Sequence, residues 1–259
     1  MKKTILLAVL VLSVLTVRSH AATLTDNFDN GINAYYWETF QTDAAGAPWS
    51  ISTSTGVLEI SKSSDNDAAT TCVAGVSSKF RLDGNFTISV DFDCVNFPLP
   101  SYDGWNEALL TVSTDNGTVV FHSLKEAKGP LPMDGPGYCT EGFTNLRGDG
   151  LVTVADSTLI GKLGLTRNGN TIFNWIDRGD GQGTIVISTW SSDRYLGLAS
   201  ISLWANQQII LSDRPHTALD VRFDNFTITA DSIIGVPEPC SIALLSLGGL
   251  ILRRRKKSK

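Results

Sequence analysis

The chain has 259 residues, of which 18% are charged and 42% hydrophobic, and its 26 acidic and 21 basic side chains leave a net charge of −5. The basic residues concentrate at the two ends, so the body between them is more acidic still, which excludes the basic face that nucleic-acid binding requires. Abundant Gly, Ser, Thr, Asn and Asp with few charges is the composition of a secreted, turn-rich β protein rather than a helical one.

The chain opens with Lys2 and Lys3 and an apolar run from Thr4 to Val17 interrupted by Ser13 and Thr16. Small residues around Ser19–Ala22 follow. This order predicts a secretory signal peptide over residues 1–22, helical in its apolar part. From 23 to 231 the hydrophobic period is close to two, and the length suits one sandwich-type domain that needs no disulfide to hold its core. Trp49–Ile51 and Val57–Ile60 read as a hairpin with Gly56 in its turn. Val76–Phe80 is followed by Asp83-Gly84 and then by Phe86, Ile88, Val90 and Phe92 in strict alternation, which predicts a second hairpin. Ala108–Ser113 and Thr118–His122 flank Asp115-Asn116-Gly117. Leu151–Val154, Ile160–Arg167, Thr171–Asp177 and Thr184–Thr189 continue the series, with a turn at Asn168-Gly169. Leu196–Ala205 and Val221–Thr229 close it. The reading is all-β, a jelly-roll β-sandwich, flanked by the N-terminal signal helix and a short C-terminal apolar helix.

Export implies an oxidising compartment. Paired as a hairpin around Leu82–Gly84, residues 72–80 and 86–94 set Cys72 opposite Cys94. A Cys72–Cys94 disulfide is therefore expected, leaving Cys139 odd, with Cys94–Cys139 as the alternative. The long stretches 98–105 and 129–142 present Tyr102, Trp105 and Tyr138 as candidates for stacking on a ligand, Trp105 being equally suited to a strand start packed in the core. Trp37, Trp49 and Trp204 read as core residues.

Residues 232–259 form a linker and a tail in three parts. Pro237-Glu238-Pro239 comes first, then an apolar run from Ile242 to Leu252, then a basic end from Arg253 to Lys259. The prolines hold the motif extended. The apolar run falls short of the roughly 20 residues that span a bilayer, and the basic end belongs on the cytoplasmic side. This order resembles the PEP-CTERM sorting signal of Gram-negative bacteria. The resemblance implies export, recognition of Pro237, Glu238 and Pro239 by an exosortase, attachment to the inner membrane through the tail before processing, and a final place at the cell surface or outside it.

The body carries Asp26-Asn27-Phe28-Asp29-Asn30-Gly31, then Trp37 and Trp49-Ser50-Ile51. Further on stand Gly161–Gly169 and Val221-Arg222-Phe223-Asp224-Asn225-Phe226. This resembles the concanavalin A-like lectin/glucanase sandwich, whose members include carbohydrate-binding modules, adhesion modules and glycoside hydrolases. The resemblance implies that the first and last strands are neighbours, bringing Phe28 near Phe226, and offers Asp29 and Asp224 as ligands of a possible structural calcium. No other cofactor is implied. The alternative for these aspartates is hydrogen bonding to their own backbone. The glucanase motif Glu-x-Asp-x-x-Glu is absent, no Glu stands two positions from an Asp on a strand, and Asp91 and Asp93 read as a solvated outer face. His122 and His216 have no nucleophilic Ser in a Gly-x-Ser-x-Gly turn beside them. The expectation is a non-enzymatic surface or matrix protein whose sandwich binds polysaccharide or another surface component. The alternative is a secreted carbohydrate-active enzyme of the same fold.

Overall fold

A computed structural model describes residues 21–42, 49–64, 71–101, 103–114, 120–130, 136–144, 152–209 and 216–236. The expected signal helix, Tyr102 and the Pro-Glu-Pro tail lie outside the described residues. The described chain forms β1 (Ala22–Asp26), β2 (Trp37–Thr42), β3 (Ser50–Ser52), β4 (Leu58–Lys62), β5 (Thr71–Ser78), β6 (Arg81–Asn96), β7 (Gly104–Thr114) and β8 (Val120–Lys128). Then come β9 (Gly137–Thr144), β10 (Val152–Ala155), β11 (Ile160–Asn168), β12 (Thr171–Asp177), β13 (Thr184–Ser191), β14 (Ala199–Ile209) and β15 (Leu219–Ile234). Among the described residues no helix is long and apolar enough to cross a membrane.

All pairings are antiparallel, and the strands make two layers. The first sheet runs β2-β5-β14-β7-β8-β9-β10. The second runs β15-β6-β11-β12-β13, with β1 and β4 end to end along the other edge of β15. One pairing, Ala199 with Leu82, joins the layers at a corner. The result is the expected jelly-roll sandwich.

Alternation explains how each strand feeds the core. On β6, Phe86, Ile88, Val90, Phe92 and Cys94 are buried while Thr87, Ser89, Asp91 and Asp93 face outward. Each large apolar side chain so buried contributes roughly 1.5–3 kcal/mol relative to exposure. The first and last strands pair from Ala22–Ala230 to Asp26–Phe226, as the resemblance implied. Trp37 closes that end: its ring lies 5.0 Å from Phe226 and 6.1 Å from Phe28, and its Nε1 donates to Asp26 Oδ2 at 2.9 Å.

Four expectations are corrected. The hairpin between 72–80 and 86–94 does not form: β5 pairs with β14 and β2 in the first sheet, and β6 lies in the second. Gly84, at φ +70°, is an irregularity within β6 rather than a turn, and β15 shifts register beside it. Cys72 and Cys94 therefore sit on different sheets. Cys72, Cys94 and Cys139 are all buried free thiols, so no disulfide joins them. Residues 137–142, taken for part of the loop 129–142, belong to β9 inside the first sheet. Trp37 and Trp49 do lie in the core, but Trp204 is half-buried on the outer face of the first sheet.

Candidate functional site

The outer face of the first sheet departs from the usual solvated surface. β7 alternates Ala108, Leu110 and Val112 into the core with Trp105, Glu107, Leu109 and Thr111 on the outside. Register then assembles rows from neighbouring strands. Asn206 on β14 stands opposite Glu107, Glu107 opposite Glu126 on β8, and Glu126 opposite Cys139 on β9. The next row is Trp204, Leu109, Leu124 and Glu141. Glu107, Glu126 and Glu141 are buried, although they come from three strands of an outer face.

The polar atoms are closely linked. Asn206 Nδ2 donates to Glu107 Oε2, and Lys128 Nζ donates to Glu141 Oε1 while standing 3.5 Å from Glu126 Oε2. Thr153 Oγ1 donates to Glu141 Oε1 at 2.7 Å, and Cys139 Sγ to Glu126 Oε2 at 3.5 Å. Burial pushes the Glu107 carboxyl up to about 7, partly opposed by the hydrogen bond from Asn206. Burial raises Glu126 as well, and Glu141 and Glu107 beside it add to the rise. Burial alone would lower Lys128, but the bond to Glu141 and the charge of Glu126 hold it above its ordinary value. On the flank, Trp204 Nε1 donates to Thr111 Oγ1 at 2.7 Å, and Thr111 Oγ1 lies 3.1 Å from His122 Nδ1. Burial pulls His122 down to about 4, so it is neutral near pH 7.

Among the described residues, Glu126, Cys139 and Glu141 are the one set of three possible metal-ligating side chains, with donor atoms within 4.8 Å of one another. The Lys128 ammonium already supplies their positive charge. The same spacing is near the roughly 5 Å that separates the two carboxyl groups of retaining glycosidases. Chemically the face can hold protons, donate and accept hydrogen bonds, and offer aromatic surface.

The residues singled out from sequence are dispersed. Trp105 is half-buried on this face, opposite Gln208 and Lys128. Tyr138 packs against the core, and its hydroxyl donates to the Phe97 carbonyl at 3.0 Å. Asp29, in the turn after β1, accepts from Asn27 Nδ2. Asp224, on β15, accepts from the Asn225 backbone at 2.7 Å. Neither aspartate belongs to a three-ligand set among the described residues. Glu107, Glu126, Glu141 and Lys128 were missed. Charged residues inside otherwise apolar strand runs are the signal that could have found them.

No family profile matches the chain, and no curated protein matches it. Solved structures do. A glycosyl hydrolase family protein from Mycobacterium fortuitum aligns with TM-score 0.55 at 13% identity, covering 81% of this chain and 98% of its own. Lectin I from Ulex europaeus, solved with the methyl glycoside of α-L-fucose, aligns at 0.53 and 11%, covering 84% and 99%. A structure from work on endo-acting O-glycanases of the human gut microbiota aligns at 0.54 and 14%, covering 80% and 98%. Likeness at this level shows the fold, the concanavalin A-like lectin/glucanase sandwich.

Proposed function

We propose that the chain is an exported surface or matrix protein whose sandwich binds polysaccharide on the outer face of its first sheet without cleaving it. The observation that carries this is the pair of half-buried tryptophans on that face. Trp204 stands opposite Leu109, four residues along β7 from Trp105, so the two indoles are spaced about 13 Å along the strands. The buried row Asn206–Glu107–Glu126 packs between them, and Gln208, opposite Trp105, and Ser202, next to Trp204 on the same face of β14, are the partly exposed polar groups bordering the rings. Aromatic surfaces bordering hydrogen-bonding groups suit the alternating apolar and hydroxylated faces of sugars. The fucoside-bound lectin, the glycosyl hydrolase family protein and the O-glycanase-related neighbour are consistent with this. Export and processing rest on the signal-like start and on Pro237-Glu238-Pro239, with an exosortase as the processing partner and the inner membrane as the transient anchor.

A glycan array on the full-length chain tests the reading. Binding to polysaccharide is expected to weaken about tenfold in Trp204→Ala and in Trp105→Ala, a loss of the order of one stacked ring. Unchanged binding in both variants would discard the first sheet as the binding face.

A second reading, glycoside hydrolysis, is favoured by one observation: the Glu126 and Glu141 carboxylates approach within 4.8 Å, and Glu126 is held toward its protonated form. Against it, Lys128 bridges both carboxylates and burial leaves little room for a scissile oxygen. Turnover of the bound glycan that disappears in Glu126→Gln would establish hydrolysis; its absence supports binding alone.

A further inference from the structure

We infer that the outer face of the second sheet holds a separate site for an amino-sugar oligosaccharide, with Trp175 as its platform and the row Asp91–Lys162–Asp177 as its charged wall. Trp175 lies on β12 opposite Gly164 of β11. A side chain on Gly164 would meet the indole carbons at 2.1–2.5 Å, so the ring rests on the bare backbone there. Its Nε1 donates to Thr166 Oγ1 at 3.1 Å, which fixes the ring against the sheet. The side chain is half-buried, so part of the ring stays accessible. An irregularity in the β12–β13 pairing falls between Asn174 and Trp175, a feature that re-aims side chains at sites.

Two residues along β12, Asp177 faces outward beside Lys162, Lys162 beside Asp91, and Asp91 beside Asp224. These residues line a cleft of about 470 Å³, together with Asp93, Arg222 and Ile160. That volume lies within the range of small-ligand sites. The cations in the cleft are already committed. Lys162 Nζ is 3.0 Å from Asp91 Oδ1, and Arg222 pairs with Asp220 and Glu59 outside the cleft. Among the described residues, Asp93, Asp177 and Asp224 have no cation partner. Four aspartates, Asp91, Asp93, Asp177 and Asp224, face two cations, Lys162 and Arg222, so the cleft carries net negative charge, with Trp175 next to it on β12. A ring with an apolar face, hydroxyls and a free ammonium answers all of these features: it stacks on Trp175, gains cation–π attraction there, and places its ammonium toward Asp177. Neutral sugars lack the charge, and uronates carry the wrong sign. The site uses residues of the second sheet alone, so it stands or falls independently of Trp204 and Trp105.

The test titrates the β-1,4-linked glucosamine tetramer into the full-length chain by calorimetry and tryptophan fluorescence. Its N-acetylated form, an oligogalacturonate and calcium chloride alone are run beside it. The glucosamine tetramer is expected to bind at least about tenfold more tightly than either oligosaccharide, and more weakly as salt rises. Trp175→Ala should weaken it about tenfold, Trp175→Phe should restore part of the loss, and Asp177→Asn should weaken it and flatten the salt dependence. Tyr35→Ala, at an exposed aromatic in the turn before β2, should leave the affinity unchanged. The proposal is overturned by absence of binding, by equal binding of the N-acetylated tetramer, or by preference for the galacturonate. Calcium occupying the cleft in place of the sugar overturns it too, as does full affinity in both Trp175→Phe and Asp177→Asn. A loss in Trp204→Ala without one in Trp175→Ala moves the sugar to the first sheet and equally overturns it.

Discussion

Buried titratable side chains, Glu107 first among them, make the stability of this protein depend on pH. Glu107 titrates at about 7 in the folded chain against an ordinary 4.5, because burial penalises its charge. Folding therefore favours the protonated form. The stability it contributes is complete below about pH 4.5 and is lost as pH rises through about 7. Glu126, raised in the same direction, adds to that loss. His122 works oppositely: lowered to about 4 from 6.5, it gives stability that is present above 6.5 and lost as pH falls through about 4. The two effects overlap between 4.5 and 6.5, so the carboxyls are read free of His122 only above 6.5, where Glu126 titrates beside Glu107. There each titrating proton changes stability by up to about 1.4 kcal/mol per pH unit. Urea denaturation at pH 6.5 and pH 8 should show the wild-type chain losing stability across the interval. Glu107→Gln should lose less and exceed wild type by about 2 kcal/mol at pH 8. A Gln variant with the wild-type slope would mean that another group sets it.

At the scale of elements, the corner where β6 begins depends on a side chain from β11. Gly84 leaves the regular strand at φ +70°, and its carbonyl accepts from Arg167 Nε at 2.7 Å and also from Nη2. Arg167 Nη1 donates to the carbonyls of Tyr195 and Gly197 at 3.1 and 2.7 Å, and the guanidinium lies 4.7 Å over Phe86. One planar group thus ties the start of β6 to the segment before β14. Lysine is a point charge without the fork, so Arg167→Lys should leave carbonyls unpaired and cost about 2 kcal/mol in denaturant unfolding. A change below about 0.5 kcal/mol, the scale of ordinary surface substitutions, would show that the corner holds without it. The same corner marks the limit of what the sequence shows. The alternation of Phe86 to Phe92 and the turn at Asn168-Gly169 identify β6, β11 and β12 because both signals are local. Asp83-Gly84 carries a turn signal but sits in a strand, because the chain has already changed sheets at Lys79-Phe80. β9 escapes notice because Thr140 and Glu141, on opposite faces, are both buried polar residues that interrupt any period. The site on the first sheet is hidden for a related reason: Glu107, Glu126 and Glu141 become neighbours only through the order β7-β8-β9. The seat of Trp175 on Gly164 likewise exists only through pairing register.

For the whole molecule, what matters is where the two ends leave the sandwich. Ala22 pairs with Ala230, and β15 runs on only to Ile234, so the start and finish of the described domain lie together at one end of the second sheet. Val236 still packs against the core, and Pro237-Glu238-Pro239 follows it directly. On the proposed reading the tail holds the sandwich by that end, leaving the outer faces of both sheets turned sideways and open to polysaccharide. The described packing reaches Val236, the residue before the proposed processing motif. Replacing Pro237, Glu238 and Pro239 together by alanine should therefore leave the melting curve of the purified chain unchanged while altering its mature size and its distribution between membrane and exterior. Val236→Ala is the complementary variant: it should lower stability, on the order of 1 kcal/mol for the lost apolar contact, and leave the processed size as in wild type. Alanine replacements that change neither size nor location would end the sorting assignment. A fall in melting temperature on the same replacement would mean instead that the motif belongs to the folded domain.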